Sequence, residues 1–483
     1  MIFNRSDILN ELQSSIIETQ FADEAPCIYD SAVFDSRECF EDSIFVAIDG
    51  SKSTGIVYVE DAIRNGAACV MANIDYRNQL QDLIDRYGAK TDFIFVEDTL
   101  KAFGMLGTLS RSIYTKDVIG VAGSVGKTST KNMLREIGGG SENTHASRGS
   151  FNNETGVPLT LCTLPLDAKR AIVELGESHF GDLDYITKIA RPTILIITNV
   201  ELAHVEYLGD LEGVAQTMNE SVSLMPAGST IVIPNGTNNI DIVLKGVNAK
   251  VIKVLDVDEV EGDSSPENVT FAKVLSKVQS PDLTYSFELE YQGMEIEAHI
   301  PLMGDHFVMN AALAIIASYV SGQEIPEIVK NLENVVPQGS RMNEIQTSLL
   351  TIIDDCYNAN PASMRASMKA VKDKASLENS RSVFIMGPMR ELGKDSDLMH
   401  EEIGRYAQEI GIDLLICVDK ATLNASKVGV HLNSIYFESV KDALASIGQI
   451  VKKGDLVGVK ASRGPDPHKP AMMPIVEALE QLK

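Results

Sequence analysis

No stretch of this chain is apolar for long enough to cross a bilayer. The longest apolar runs, such as ILIIT at 194–198, fall far short of the roughly 20 residues that a membrane span needs. Cysteine is sparse: Cys27, Cys39, Cys69, Cys162, Cys356 and Cys417 are scattered along the chain and none forms a CxxC pair. That excludes a disulfide framework or a cysteine-based zinc site and fits a reducing compartment. Basic charge is also short. Forty-two Lys and Arg stand against 68 Asp and Glu, a net charge of −26, and such a field repels nucleic acid and anionic membrane surfaces. The opening residues, MIFNRSDILNELQSS, show no apolar core of a secretory leader and no small-residue cleavage site. The expectation is a cytoplasmic monomer, without nucleic-acid or membrane partners.

What is present is a long alternation of strand-like and helix-like segments, without repeats or low-complexity tracts. A length of 483 residues suggests three domains, and the alternation predicts α/β folds with largely parallel sheets. Domains are expected over 1–114, 115–336 and 337–483. In the first, SIFVAI (43–48), ACVMA (68–72) and DFIFVE (92–97) read as strands. In the second, DVIGVAG (117–123), AIVELG (171–176) and TILIITNV (193–200) do so, before an irregular β-rich stretch over 228–303 and a helix over 306–320. In the third, strands LLTIIDD (349–355), SVFIMG (382–387), DLLICV (413–418) and LVGVKAS (456–462) alternate with helices.

The segment Gly123-Ser124-Val125-Gly126-Lys127-Thr128-Ser129 leaves a predicted strand and opens a predicted helix. Glycines there let backbone N–H groups converge on phosphate oxygens, and the helix N-terminus adds a positive dipole. Lys127 can reach the β- and γ-phosphates of ATP, and the Thr128 hydroxyl can ligate Mg²⁺. Val121 stands where the full phosphate-loop pattern has glycine. The competing reading is a glycine-rich turn with an exposed lysine, and the strand-to-helix context favours the phosphate loop over it.

Further motifs follow in a fixed order. Asn152 and Asn153 precede Gly156-Val157-Pro158. Glu174 ends the strand AIVELG, and His204 follows Thr198-Asn199-Val200. Asp354-Asp355-Cys356-Tyr357-Asn358-Ala359-Asn360-Pro361 comes next, then Gly387-Pro388-Met389-Arg390-Glu391-Leu392-Gly393 with His400, and finally Lys460-Ala461-Ser462-Arg463. Near the start stand Asp35-Ser36-Arg37. Together these resemble the Mur ligase family, in its MurF branch, along the whole chain.

The resemblance implies an N-terminal substrate-binding domain, a central phosphate-loop ATPase domain and a C-terminal Rossmann-like ligase domain. It implies an ATP-dependent ligase that converts a carboxylate to an acyl phosphate and joins it to an amine such as a dipeptide. Lys127, Glu174 and His204 are the implied catalytic residues, with Thr128, Glu174 and His204 holding Mg²⁺. ATP would be contacted by Gly123, Ser124, Gly126, Lys127, Thr128, Ser129, Asn310, Arg341 and Asp355. Substrates would be contacted by Asp35, Ser36, Arg37, Asn152, Asn153, Asn358, Asn360, Lys460, Ser462 and Arg463.

Some positions depart from the family pattern. Met218 stands where the family carries a lysine, often carbamylated, and no lysine lies between Val200 and Thr230. Either Glu220 supplies the missing carboxylate, or Met218 simply packs in the core. The turn over 50–56, Pro388, Ala461 and the segment 463–470 are also unusual. These departures keep two alternatives open beside a cell-wall ligase. One is a related ligase acting on another scaffold, such as a pseudomurein peptide or the nickel tetrapyrrole of methanogens. The other is a silent nucleotide-binding partner protein, against which the joint presence of Lys127, Thr128, Glu174, His204, Arg341 and Asp355 argues.

Overall fold

The computed structural model describes residues 2–50, 53–261, 266–429, 431–464 and 470–482. Ser51 and Lys52 of the unusual turn, and residues 465–469 of the unusual C-terminal segment, lie outside the described residues. Three α/β units follow one another along the chain, each built on its own sheet.

The first sheet has five strands, in the order Ile16–Gln20, Asp92–Val96, Ala67–Asn73, Ser43–Val46, Ser31–Val33. All pairs are parallel except the one made by Ile16–Gln20. Helix Thr99–Ile113 then leads toward the central unit. Asp98 fixes its start by accepting the N–H groups of Leu100 and Lys101, each at 3.0 Å, which satisfies two donors that a helix otherwise leaves open.

The central sheet has nine strands. From one edge the order is Thr144–Ala146, Arg170–Glu174, Val118–Ala122, Ile194–Ile197, Thr230–Pro234, Lys250–Leu255, Val269–Gln279, Tyr285–Tyr291 and Met294–Ile300. The first seven run parallel and the last two form an antiparallel extension. The stretch expected to be irregular is therefore regular. Strands Thr230–Pro234 and Lys250–Leu255 continue the parallel sheet, and the clean alternation of YSFELEY belongs to the one-sided antiparallel part. In Lys250–Leu255 the exposed Lys250 and half-buried Lys253 break the apolar run that marks a parallel strand, so its place in the sheet left no clear pattern. Helix His306–Val320 packs against helix Lys127–Ile137.

The C-terminal sheet has six strands, in the order Asn343–Gln346, Thr351–Asp354, Leu456–Lys460, Ser382–Met386, Leu414–Val418, Ser434–Phe437, with only the first antiparallel. Helix Pro361–Leu377 begins with a reciprocal cap: the Asn360 side chain accepts the Ser363 N–H, and the Ser363 hydroxyl accepts the Asn360 N–H. Among the described residues no helix is long and apolar enough to cross a membrane.

Candidate active site

Strand Val118–Ala122 delivers the phosphate loop. Val121 lies inside this strand, fully buried and paired with Glu174 and Ile196, so the turn needs no glycine until Gly123. Gly123 (φ 126°) and Gly126 (φ 88°) adopt the left-handed region that glycine enters freely. At Gly123 the demand is also steric, since an added Cβ would sit 2.1 Å from the Thr198 Oγ1. The neighbouring strand end buttresses the loop. Thr198 Oγ1 and Asn199 Nδ2 donate to the Val125 carbonyl at 2.6 and 3.0 Å, and the Val125 N–H donates to Asn199 Oδ1 at 2.9 Å. Helix Lys127–Ile137 starts directly behind.

A cavity of about 1040 Å³ opens here, between the central and C-terminal units. Ser124, Gly126, Lys127, Thr128, Ser129, Asn152, Asn153, Glu174, His204 and Asn310 line it from the central unit. Arg341, Asp355, Asn358, Asn360, Lys460, Ser462 and Arg463 line it from the other. Gly123 lies just behind the loop, outside the lining. Nearly all the residues marked in the sequence are thus brought to one cleft, at the C-terminal ends of parallel strands, where open α/β sheets bind ligands.

Asp35, Ser36 and Arg37 are not brought there. Asp35 caps the short turn Ser36–Glu38 and holds the Arg37 guanidinium at 2.6 Å, which keeps its carboxyl below the usual range. Ser36 is buried. One ion pair links this turn to the central unit, from Glu38 to Arg148, two residues before the cavity-lining Ser150, at 2.7 Å.

Glu174 is almost completely buried. Its Oε1 accepts from Thr128 Oγ1 and from Asn152 Nδ2, both at 3.0 Å. Its Oε2 is buried without a hydrogen bond, although Lys131 Nζ lies 3.3 Å away. The lysine is close enough for Coulomb attraction but not aligned as a donor, and burial pushes its own pKa down. A carboxylate oxygen left free beside a hydroxyl suits a hard cation. Among the described residues no group of three or more His, Cys, Asp and Glu is placed to hold a metal unaided. That is compatible with Mg²⁺, which keeps several waters and takes one or two carboxylates together with substrate phosphates.

The C-terminal unit reaches into this site. Arg341 Nη2 lies 3.2 Å from Thr128 Oγ1 and 3.0 Å from Ser150 Oγ. Its guanidinium stacks on the Tyr357 ring at 3.7 Å, and Arg463 lies over the same ring at 4.5 Å. Burial lowers the pKa of both arginines. Several residues expected to contact substrate are also internal braces. Lys460 Nζ donates to Asp355 Oδ2 at 2.7 Å and to the Asn358 carbonyl at 3.0 Å, and Ser462 Oγ donates to the Ala359 carbonyl at 2.9 Å. Asn360 spends its side-chain oxygen on the helix cap, and Asn153 accepts the Gly156 N–H at 3.1 Å. Asn310 faces Gly126, where a Cβ would lie 3.1 Å from its amide.

Three partners were not marked in the sequence. Glu177, with a fully buried side chain, pairs with Lys127 at 3.1 Å. Its signal was a second acid just past the same strand end. Glu391, inside a quoted motif but without a role, contacts the Nδ1 of His204, and this bond lowers the Glu391 pKa. Ser150 contacts Thr128 at 3.2 Å. Of the two readings left open at position 218, recruitment of Glu220 finds no support. Its carboxylate accepts the N–H groups of Gly181 (2.8 Å) and Asp184 (3.2 Å) at the start of helix Asp182–Ala190 and does not line the cavity. Met218 is fully buried in the hydrophobic core. Of the C-terminal departures, the Ala461 methyl packs against Gly387, where an added Cβ would lie only 2.6 Å from it.

Residues 121–318 match the Mur ligase middle domain, and residues 340–463 match the Mur ligase, glutamate ligase domain. A UDP-N-acetylmuramoyl-tripeptide--D-alanyl-D-alanine ligase of Bacillus subtilis is 30% identical over 440 residues, covering 89% of this chain and 90% of the relative. The crystal structure of MurF from Acinetobacter baumannii superposes with a TM-score of 0.82 at 24% identity, covering 100% of this chain and 99% of that one. MurF from Thermotoga maritima in complex with ADP gives 0.73 at 22% identity, over 93% and 97%. With the phosphate loop, the buried Glu174–Thr128 pair and the two-domain cleft in place, the chain belongs to the Mur ligase family, as an ATP-dependent, carbon–nitrogen bond-forming ligase of the MurF type.

Proposed function

We propose that the protein joins the terminal carboxylate of UDP-N-acetylmuramoyl-tripeptide to the amine of D-alanyl-D-alanine, as the name of its Bacillus subtilis relative describes. The observation that carries the chemistry is the buried Glu174 beside the phosphate loop, bonded to Thr128 through one oxygen while the other makes no hydrogen bond and faces Lys131 at 3.3 Å. Thr128 and Glu174 would hold Mg²⁺ together with nucleotide oxygens, with His204 at a second position on the same wall. The cation supplies charge neutralisation at the transferring phosphoryl group.

The chain's own residues do the rest. The N–H groups of the loop from Gly123 to Ser129 receive the β- and γ-phosphates, and Lys127 leaves Glu177 to reach them. Arg341 and Asp355 bring the C-terminal domain against the nucleotide, beside Asn310. The substrate carboxylate attacks the γ-phosphorus and ADP leaves. The amine, held near Asn358 and Arg463, then attacks the acyl carbon and phosphate leaves. Bringing anions together is the difficult part, and fixed cationic groups in a cleft shielded from water lower that barrier. Asn152 holds Glu174, and Lys460 with Ser462 braces the amine side. Asp35, Ser36 and Arg37, remote from the cleft, would hold the distal end of a long acid substrate. Domain boundaries near 114 and 337, a monomeric state and a cytoplasmic location complete the proposal.

Phosphate release from ATP tests this. It should require both UDP-N-acetylmuramoyl-tripeptide and D-alanyl-D-alanine, together with Mg²⁺. Release that needs a different acid or amine would overturn the substrate assignment and leave the ligase chemistry standing.

A further inference from the structure

His204 and Glu391 are 187 residues apart in sequence and belong to different domains, yet the His204 Nδ1 contacts a Glu391 carboxylate oxygen. Both occupy the left-handed backbone region, with φ of 54° and 61°, which residues bearing side chains seldom adopt. The contact is reinforced along the backbone. The Glu206 N–H donates to the Glu391 carbonyl at 3.0 Å. Gly393 follows so closely that an added Cβ would lie 3.4 Å from the Glu206 Cα.

The loop that carries Glu391 is fixed from behind. The Arg390 N–H donates to Ser462 Oγ at 2.9 Å, and the Met389 N–H donates to His400 Nε2 at 3.0 Å. The His400 Nδ1 lies 2.7 Å from the Ser396 carbonyl, which sets that ring's orientation. One imidazole therefore braces a loop whose carboxylate meets a second imidazole across the cleft. A neutral imidazole that donates Nδ1–H to a carboxylate keeps a bare Nε2 and a fixed ring plane. His204 lines the same cavity as Lys127, Thr128 and Glu174.

We propose that Glu391 is a positioning residue: it holds the Nδ1–H of His204 so that a bare Nε2 faces the cavity, and it does so only while the C-terminal domain is docked on the central one. This rests on the reading of His204 as a cavity-facing ligand, and adds that the ligand is completed from the other domain. When the domains part, the imidazole loses its partner and is free to carry its proton on Nε2. Phosphoryl transfer is thereby tied to docking of the two domains.

The test uses the full-length protein with ¹⁵N-labelled histidine, His204 being identified by the signal lost in His204→Asn. The wild type should show a protonated Nδ1 and a bare Nε2. Glu391→Ala should move the proton to Nε2, whereas Glu391→Gln, whose amide oxygen still accepts, should keep it on Nδ1. In steady state Glu391→Ala should lose about 10–100-fold in kcat, with a smaller change in KM for ATP, and Glu391→Gln should recover part of the loss. A wild-type His204 protonated on Nε2, or an alanine variant with unchanged tautomer and kcat, overturns the proposal. The wild-type tautomer decides even if the alanine variant folds poorly. It is read without turnover, so a wrong substrate assignment would silence only the kinetic arm.

Discussion

The Lys127 ammonium lies 3.1 Å from Glu177 Oε2, and the Glu177 side chain is fully buried. The lysine that must reach phosphate is thus already paired, and nucleotide has to take it from a carboxylate that also repels phosphate. Glu177→Gln should bind metal-free ATP more tightly, by about fivefold if the pair is worth about 1 kcal/mol. Titration calorimetry measures this, and weaker binding in the variant would show that Glu177 assists the nucleotide instead of competing with it.

Lys127→Ala should abolish phosphate release, a loss of at least about 100-fold, with little change in melting temperature. Lys127 makes its contacts at the phosphate loop, to Glu177 and the Gly123 carbonyl, and carries none of the hydrophobic core. Normal turnover by this variant would remove the phosphate loop from the mechanism.

Arg341 bridges the domains through Thr128 and Ser150, so Arg341→Ala should open the cleft. Small-angle scattering should give a larger radius of gyration for the variant, and ATP analogue with acid substrate should compact the wild type further toward the closed form. Identical radii in all states would contradict a closure-dependent site.

Met218 is enclosed in the core, which leaves no lysine there to react with carbon dioxide. Bicarbonate should not stimulate activity. Glu220→Gln should leave the Mg²⁺ dependence unchanged, because Glu220 caps a helix start. Met218→Lys should destabilise the fold, since it buries an unpaired ammonium. A bicarbonate response would point to another lysine.

His145 is held by the Thr160 carbonyl at 2.8 Å, and burial pushes its pKa down to about 4. Between pH 6.5 and 4 the unfolded chain therefore binds a proton that the folded chain refuses, so stability falls as pH falls through this window. The loss approaches roughly 3 kcal/mol at pH 4. Denaturant unfolding at several pH values should show this slope reduced in His145→Gln, and an equal slope in both would assign the acid sensitivity elsewhere.

The sequence by itself determined whatever depends on local periodicity or on a short contiguous motif. Short apolar runs between helical stretches gave the parallel sheets, and the step from strand to GSVGKT to helix gave the phosphate site, because a phosphate loop is a local structure whose backbone makes most of its contacts. The order of the motifs gave the family. Only the tertiary structure decided which side chains are partners across the cleft. Glu391 meets His204 over 187 positions, Arg341 meets Thr128 over 213, and such separations leave no periodic trace. It also decided between Met218's two readings: a buried methionine and a helix-capping Glu220 differ only in which way each side chain faces. Lys460 and Ser462 had the residue types of ligands, and packing turned them into braces, because buried polar groups must be satisfied by whatever lies nearest.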